Sequence, residues 1–127
     1  MKDFKLYKKI KAEPQDVYAC LTNPVTIELW SGYPAKMEET IGSEFEIWGG
    51  DISGRILELE PYTKVVQEWF FGEQEEPSIV TFKLHHDKNY VSVEVRHSNI
   101  PDEVYDEFVT GWDENFLGEI KNFLEDW

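Results

Sequence analysis

The side chains equipped for chemistry in this chain are few and widely separated. His85 and His86 are neighbours, so on a strand they point to opposite faces and cannot share one metal ion. His97 has no partner at ligand spacing, and no cysteine cluster, His-Glu-x-x-His or calcium-loop pattern occurs. No serine sits in a Gly-x-Ser-x-Gly elbow, and Cys20 has no histidine placed to activate it. Gly49-Gly50 reads as a turn between strands rather than a phosphate cradle. The adjacent acids Glu38-Glu39 and Glu75-Glu76 read as solvated. The sequence therefore assigns no catalytic set, no metal site and no cofactor, and it favours binding over turnover.

Polar groups that could anchor a ligand are sought at inward positions of strands. Val91, Val93 and Val95 share one face that His97 continues, and Val80, Phe82 and Leu84 lead in the same way to His86. Counting by twos along 52–60 sets Arg55 beside Leu57 and Leu59, where its guanidinium would meet an anionic ligand group or one of the many acids. The rest of a candidate ligand site is aromatic and apolar: Trp30, Trp69 and Trp112, with Phe45, Ile47, Phe108 and Phe116. Ligand pockets are mostly apolar with a few polar anchors, which this set matches. The same rings, with Trp48 and Trp127, could equally fill the space as core.

These residues need elements to hold them. Residues 3–12 alternate as an opening strand. Pro14 starts a short helix, and Asn23-Pro24 starts another, with a capping residue before proline at the first helical position. Six strand-like runs follow, near 35–40, 43–48, 52–60, 63–71, 78–86 and 89–98, separated by turn signals such as Gly42-Ser43, Pro61-Tyr62, Glu76-Pro77 and Asp87-Lys88-Asn89. One long helix closes the chain after Ile100-Pro101-Asp102. At about 100° per residue, Tyr105, Phe108, Val109, Trp112, Phe116, Ile120, Phe123, Leu124 and Trp127 form one stripe along it. Gly111 and Gly118 lie off that stripe and are expected to let the helix bend. The expected architecture is α+β: a curved antiparallel sheet of about seven strands gripping the long C-terminal helix, with two short helices after the first strand.

Length and charge narrow the function classes. A chain of 127 residues is close to the commonest size for one domain, so 1–127 is expected to form one. The single cysteine excludes an internal disulfide framework and fits a reducing compartment. With neither a signal-like stretch at Met1-Lys2-Asp3-Phe4-Lys5 nor a membrane-length apolar run, this points to the cytoplasm. A net charge of −14 repels phosphate backbones and anionic lipid, which disfavours nucleic acid and membranes as partners.

Certain words in the sequence carry a family likeness. They are Ser53-Gly54-Arg55-Ile56-Leu57-Glu58-Leu59-Glu60-Pro61, Val65-Val66-Gln67-Glu68-Trp69, Ser78-Ile79-Val80-Thr81-Phe82, Ile100-Pro101, Gly111-Trp112 and Ile120-Lys121-Asn122-Phe123-Leu124. With the element order they resemble the START-like (SRPBCC, helix-grip, birch-pollen-allergen-like) superfamily, and within it the family of activator-of-heat-shock-protein-ATPase homologues. The resemblance implies a helix-grip fold and a hydrophobic small molecule held between sheet and long helix. It also implies a protein partner such as a chaperone, because the eukaryotic co-chaperone uses a similar domain as its C-terminal half. Some superfamily relatives are cyclases or hydrolases. The expectation is a non-enzymatic binding module for a hydrophobic small molecule, with a chaperone-linked interaction module second and a small-molecule enzyme third.

Overall fold

The computed structural model describes residues 1–72 and 76–126. Glu73, Gln74 and Glu75 of the acidic run, and Trp127 at the end of the expected stripe, lie outside the described residues. Strand β1 (Lys2–Ile10) leads into helices α1 (Pro14–Thr22) and α2 (Pro24–Ser31). Asn23 caps α2 as expected, its side-chain oxygen accepting from the Thr26 N–H at 3.1 Å. Gly32 stops it in the left-handed region at φ 82°, where glycine carries no steric penalty.

Strands β2 (Glu44–Ile47), β3 (Ile52–Glu60), β4 (Lys64–Trp69), β5 (Ser78–Asp87) and β6 (Tyr90–Ile100) complete one antiparallel sheet ordered β1-β6-β5-β4-β3-β2. The sheet has six strands, one fewer than the alternation predicts. Residues 35–40 form a single bridge, Lys36 to Glu46, and are otherwise irregular. Every other run expected to be a strand is one. In β6 and β5 the inward parity holds as read: Val91, Val93, Val95, Val80 and Phe82 are fully buried.

The chain's last helix is not uniform. A 3-10 turn at Asp102–Val104 leads to α3 (Tyr105–Gly111), a wide π turn spans Trp112–Phe116, and α4 (Leu117–Glu125) follows. A π turn holds one more residue than an α turn, so it advances the phase of everything beyond it. Leu117, which a constant 100° step leaves off the stripe, is thereby buried to 1% exposure beside Phe116 and Ile120. Gly118 makes room for this turn, since a Cβ there would stand 2.7 Å from the Asp113 carbonyl oxygen. A Cβ on Gly111 would meet nothing within 4 Å. The helix lies against the inner face of the sheet, where Trp112 meets Phe82 edge-on with ring centroids 5.6 Å apart.

Its side chains also close the β1 edge. Lys121 Nζ donates to the Lys9 carbonyl at 2.9 Å, Tyr105 Oη donates to the Asp3 carbonyl at 3.4 Å, and Lys8 pairs with Asp113 at 2.7 Å. An open edge strand would otherwise present unpaired backbone groups to other chains.

Candidate functional site

Beneath the helix the space is filled. Trp112 stacks on Trp69 with centroids 5.0 Å apart, and Phe116 packs at 4.6 Å from Trp112 and 5.8 Å from Phe82. Aromatic pairs at such separations add to the stabilisation from burial alone. Each buried indole N–H is also tied down. Trp30 donates to the Cys20 carbonyl at 2.9 Å, Trp69 to Gln67 Oε1 at 2.9 Å, and Trp112 to His97 Nδ1 at 3.0 Å. Satisfied donors leave these rings one orientation, so they form a fixed floor rather than movable gates.

His97 sits inside this arrangement at 1% exposure. An indole N–H can only donate, so His97 Nδ1 must accept, which puts the neutral ring's proton on Nε2. Nε2 then donates to Ser78 Oγ at 2.7 Å, and Ser78 donates onward to the Ser98 carbonyl at 3.0 Å. Burial holds the His97 pKa down at about 4. With both ring nitrogens engaged and no place in the lining of the groove described below, His97 ties Trp112 to strands β5 and β6.

The other expected anchors fall elsewhere. Arg55 faces outward and is exposed, its guanidinium 3.9 Å from Glu44 and 5.9 Å from the Phe70 ring centre. The reason is a register break between Ile56 and Glu58, which reverses the parity on one side of Leu57. Gly54 and Ile56 therefore face inward where parity from Leu59 would place Arg55. Gly54 has to be glycine, because a Cβ would lie 1.9 Å from the Glu68 carbonyl and 2.8 Å from Phe45. His86 is exposed at the end of β5, its Nε2 bonded to the Lys88 carbonyl at 2.9 Å. Cys20 is fully buried, and burial pushes its thiol up to about 12, which leaves it inert.

Open space lies beside the helix. A groove of about 660 Å³ runs between α3, the π turn, the end of α2 and the β2–β3 turn. Of the nine expected site residues, Trp69, Phe108, Trp112 and Phe116 line it, while Trp30, Phe45, Ile47, Arg55 and His97 do not. Trp30 supports it from behind, 5.0 Å from Phe116 and 5.4 Å from Trp48.

The groove also uses residues that strand and helix patterns do not flag. Trp48 lines it from a left-handed backbone at φ 53°, an uncommon conformation for a bulky residue. Tyr33, Ile52 and Asn115 join it, with Asp51, Glu107 and Glu119 at positions open to solvent. All but Asn115, Glu107 and Glu119 come from turns and element ends, where periodicity carries no signal. Gln67, which fixes Trp69, was legible as a polar residue two places before it on the same strand face.

No group of three or more histidine, cysteine, aspartate or glutamate side chains able to hold a metal ion occurs among the described residues. No helix among them is long and apolar enough to cross a membrane.

Comparison with known proteins places this geometry. The family described as "Activator of Hsp90 ATPase homolog 1-like protein" matches residues 11–125. An "Activator of 90 kDa heat shock protein ATPase homolog" from Dictyostelium discoideum is 27% identical over 125 residues, covering 95% of this chain and 32% of that protein. The chain thus spans about a third of that relative's length. Among solved structures, an HSP90 activator from Plasmodium falciparum, PFC0360w, superposes with a TM-score of 0.90 at 24% identity, covering 98% of this chain and 97% of the other. DynU16, described as a putative protein in the dynemicin biosynthetic locus, superposes at 0.81 with 17% identity, covering 98% of this chain and 48% of the other. At these identities the two structures establish the helix-grip fold, and the family rests on the matched residues.

Proposed function

The chain belongs to the activator of Hsp90 ATPase homolog 1-like family, and from that premise we propose that it is a non-enzymatic binding module whose ligand, a small hydrophobic molecule, occupies the groove beside the terminal helix. One observation carries the reading: an aromatic-floored groove of about 660 Å³, within the usual size of small-molecule sites. The rings below it are fixed by hydrogen bonds, so the floor is preformed and little ordering is required on binding. DynU16, by its description, sits in a biosynthetic locus, which agrees with a small molecule as ligand.

The test uses Gly111, which lines the groove in an ordinary helical conformation with open space where a Cβ would stand. Gly111→Leu puts a branched side chain into the groove without straining the backbone. A neutral hydrophobic dye such as Nile red should bind the natural chain saturably and raise its melting temperature, and Gly111→Leu should abolish both effects. Dye binding that is absent, or unchanged in the variant, refutes the groove as the site.

A second reading is favoured by the relatives' descriptions as activators of a heat-shock-protein ATPase. In it the same module serves a chaperone-linked protein contact. Adding the purified chain to such a chaperone should then change its ATPase rate, and an unchanged rate with no detectable binding counts against it.

A further inference from the structure

We propose that the groove selects organic cations, that is, amphipathic molecules with an aromatic or alicyclic body and a protonated or quaternary amine. The proposal rests on the reading of the groove as a ligand site and adds the charge of the ligand. The groove's lining includes three carboxylates, from Asp51, Glu107 and Glu119, and no lysine, arginine or histidine. All three are exposed, and none belongs to any of the ion pairs among the described residues.

Two cations whose sequence positions could have neutralised them are committed elsewhere. Lys121 is held at the β1 edge by the Lys9 carbonyl and Glu125, and Arg55 lies on the outer face of the sheet. The floor adds a second attraction of the same sign. Trp48 and Phe108, the half-buried rings of the lining, border the groove, and aromatic rings attract cations more strongly as water is displaced. An apolar body would lie on the rings while the ammonium meets the carboxylates at the rim. An anionic ligand of equal size would meet three like charges with nothing to offset them.

The test compares three probes that share one aromatic body: 2-naphthylmethylamine, 2-naphthylmethanol and 2-naphthylacetate. Each is titrated into the isotope-labelled full chain at pH 7 and low salt, and the indole N–H resonances are followed by NMR. An ammonium about 5 Å from one carboxylate in water gains roughly fourfold in affinity before salt screening, so three partly screened carboxylates give about tenfold. The amine should therefore bind about tenfold more tightly than the alcohol, and the acetate most weakly. In the triple variant Asp51→Asn, Glu107→Gln, Glu119→Gln the amine should fall to the level of the alcohol. The alcohol's own affinity should not change, which also shows that the variant is folded. Equal binding of amine and alcohol, or tighter binding of the acetate, overturns the charge selection and leaves the groove as a site. If none of the three binds, and Nile red fails as well, the site itself is refuted.

Discussion

The hydrogen-bonded chain from Trp112 through His97 and Ser78 makes stability depend on pH in a calculable way. Burial lowers the folded-state pKa of His97 from 6.5 to about 4, so the unfolded chain takes up a proton at a higher pH than the folded one. Stability from the neutral ring is therefore complete above pH 6.5 and drains away as pH falls toward 4. The whole effect corresponds to about 3 kcal/mol, of which about 2 kcal/mol is lost between pH 7.5 and 5. That window isolates the histidine from Glu94, whose pKa is lowered to about 2 by its hydrogen bonds to Arg96 and then His85. Stability from Glu94 is lost only as pH falls below about 4.5.

The assay is urea unfolding followed by tryptophan fluorescence at pH 7.5 and pH 5, on the natural chain and on His97→Asn. Loss of two hydrogen bonds makes the variant less stable at both pH values, but it lacks the titration. Easing of the −14 net charge on acidification is common to both chains and cancels. The natural chain should lose about 2 kcal/mol more than the variant over this range. Parallel pH dependences, or an NMR titration placing the His97 ring near pH 6.5, would refute the buried-neutral assignment.

Four further outcomes follow from the same geometry. Gly118→Ala should destabilise by 1 kcal/mol or more by urea unfolding, against the helix-propensity expectation of about 1 kcal/mol gained, because its Cβ would press on the Asp113 carbonyl. Gly111→Ala should instead gain about 0.5–1 kcal/mol, since its Cβ meets nothing. Cys20 should resist a thiol reagent such as dithionitrobenzoate for as long as the chain stays folded, and react fully in urea. Gln67→Leu should cost about 1–3 kcal/mol in thermal or urea unfolding by stranding the Trp69 N–H in the core, and a smaller loss would show that the indole finds another acceptor.

Much of the fold can be read from residue order because its signals are local. Asn23-Pro24 and Ser31-Gly32 bound α2 by backbone chemistry that acts within a few residues. Alternating valines mark β6 because one face of that strand is wholly buried. The failures occur where the backbone changes its step. A bulge at Leu57 and a π turn at Trp112–Phe116 each insert one residue, and periodic counting across them puts Arg55 inside and leaves Leu117 off the buried stripe. The candidate site divides the same way. Its ring floor, Trp69, Trp112 and Phe116, follows from periodicity, whereas its rim is set by how the β2–β3 turn and the end of α2 approach α3 in space. Trp48 shows the difference most clearly, since the Gly49-Gly50 turn signal beside it does not foretell its own left-handed backbone.

The placement of β1 against β6 has a consequence for how the protein is made. Ile10 pairs with Val91 and Leu6 with Val95, so the first strand of this sheet must wait for the last one before it has any neighbour in the sheet. Pairing over such separations is slow to form, and a waiting strand is exposed to other chains on the ribosome. Lys2, Lys5, Lys8, Lys9 and Lys11 crowd this one segment of an otherwise acidic chain. Their mutual repulsion keeps nascent copies of the strand apart, a protection that acts before the sheet exists.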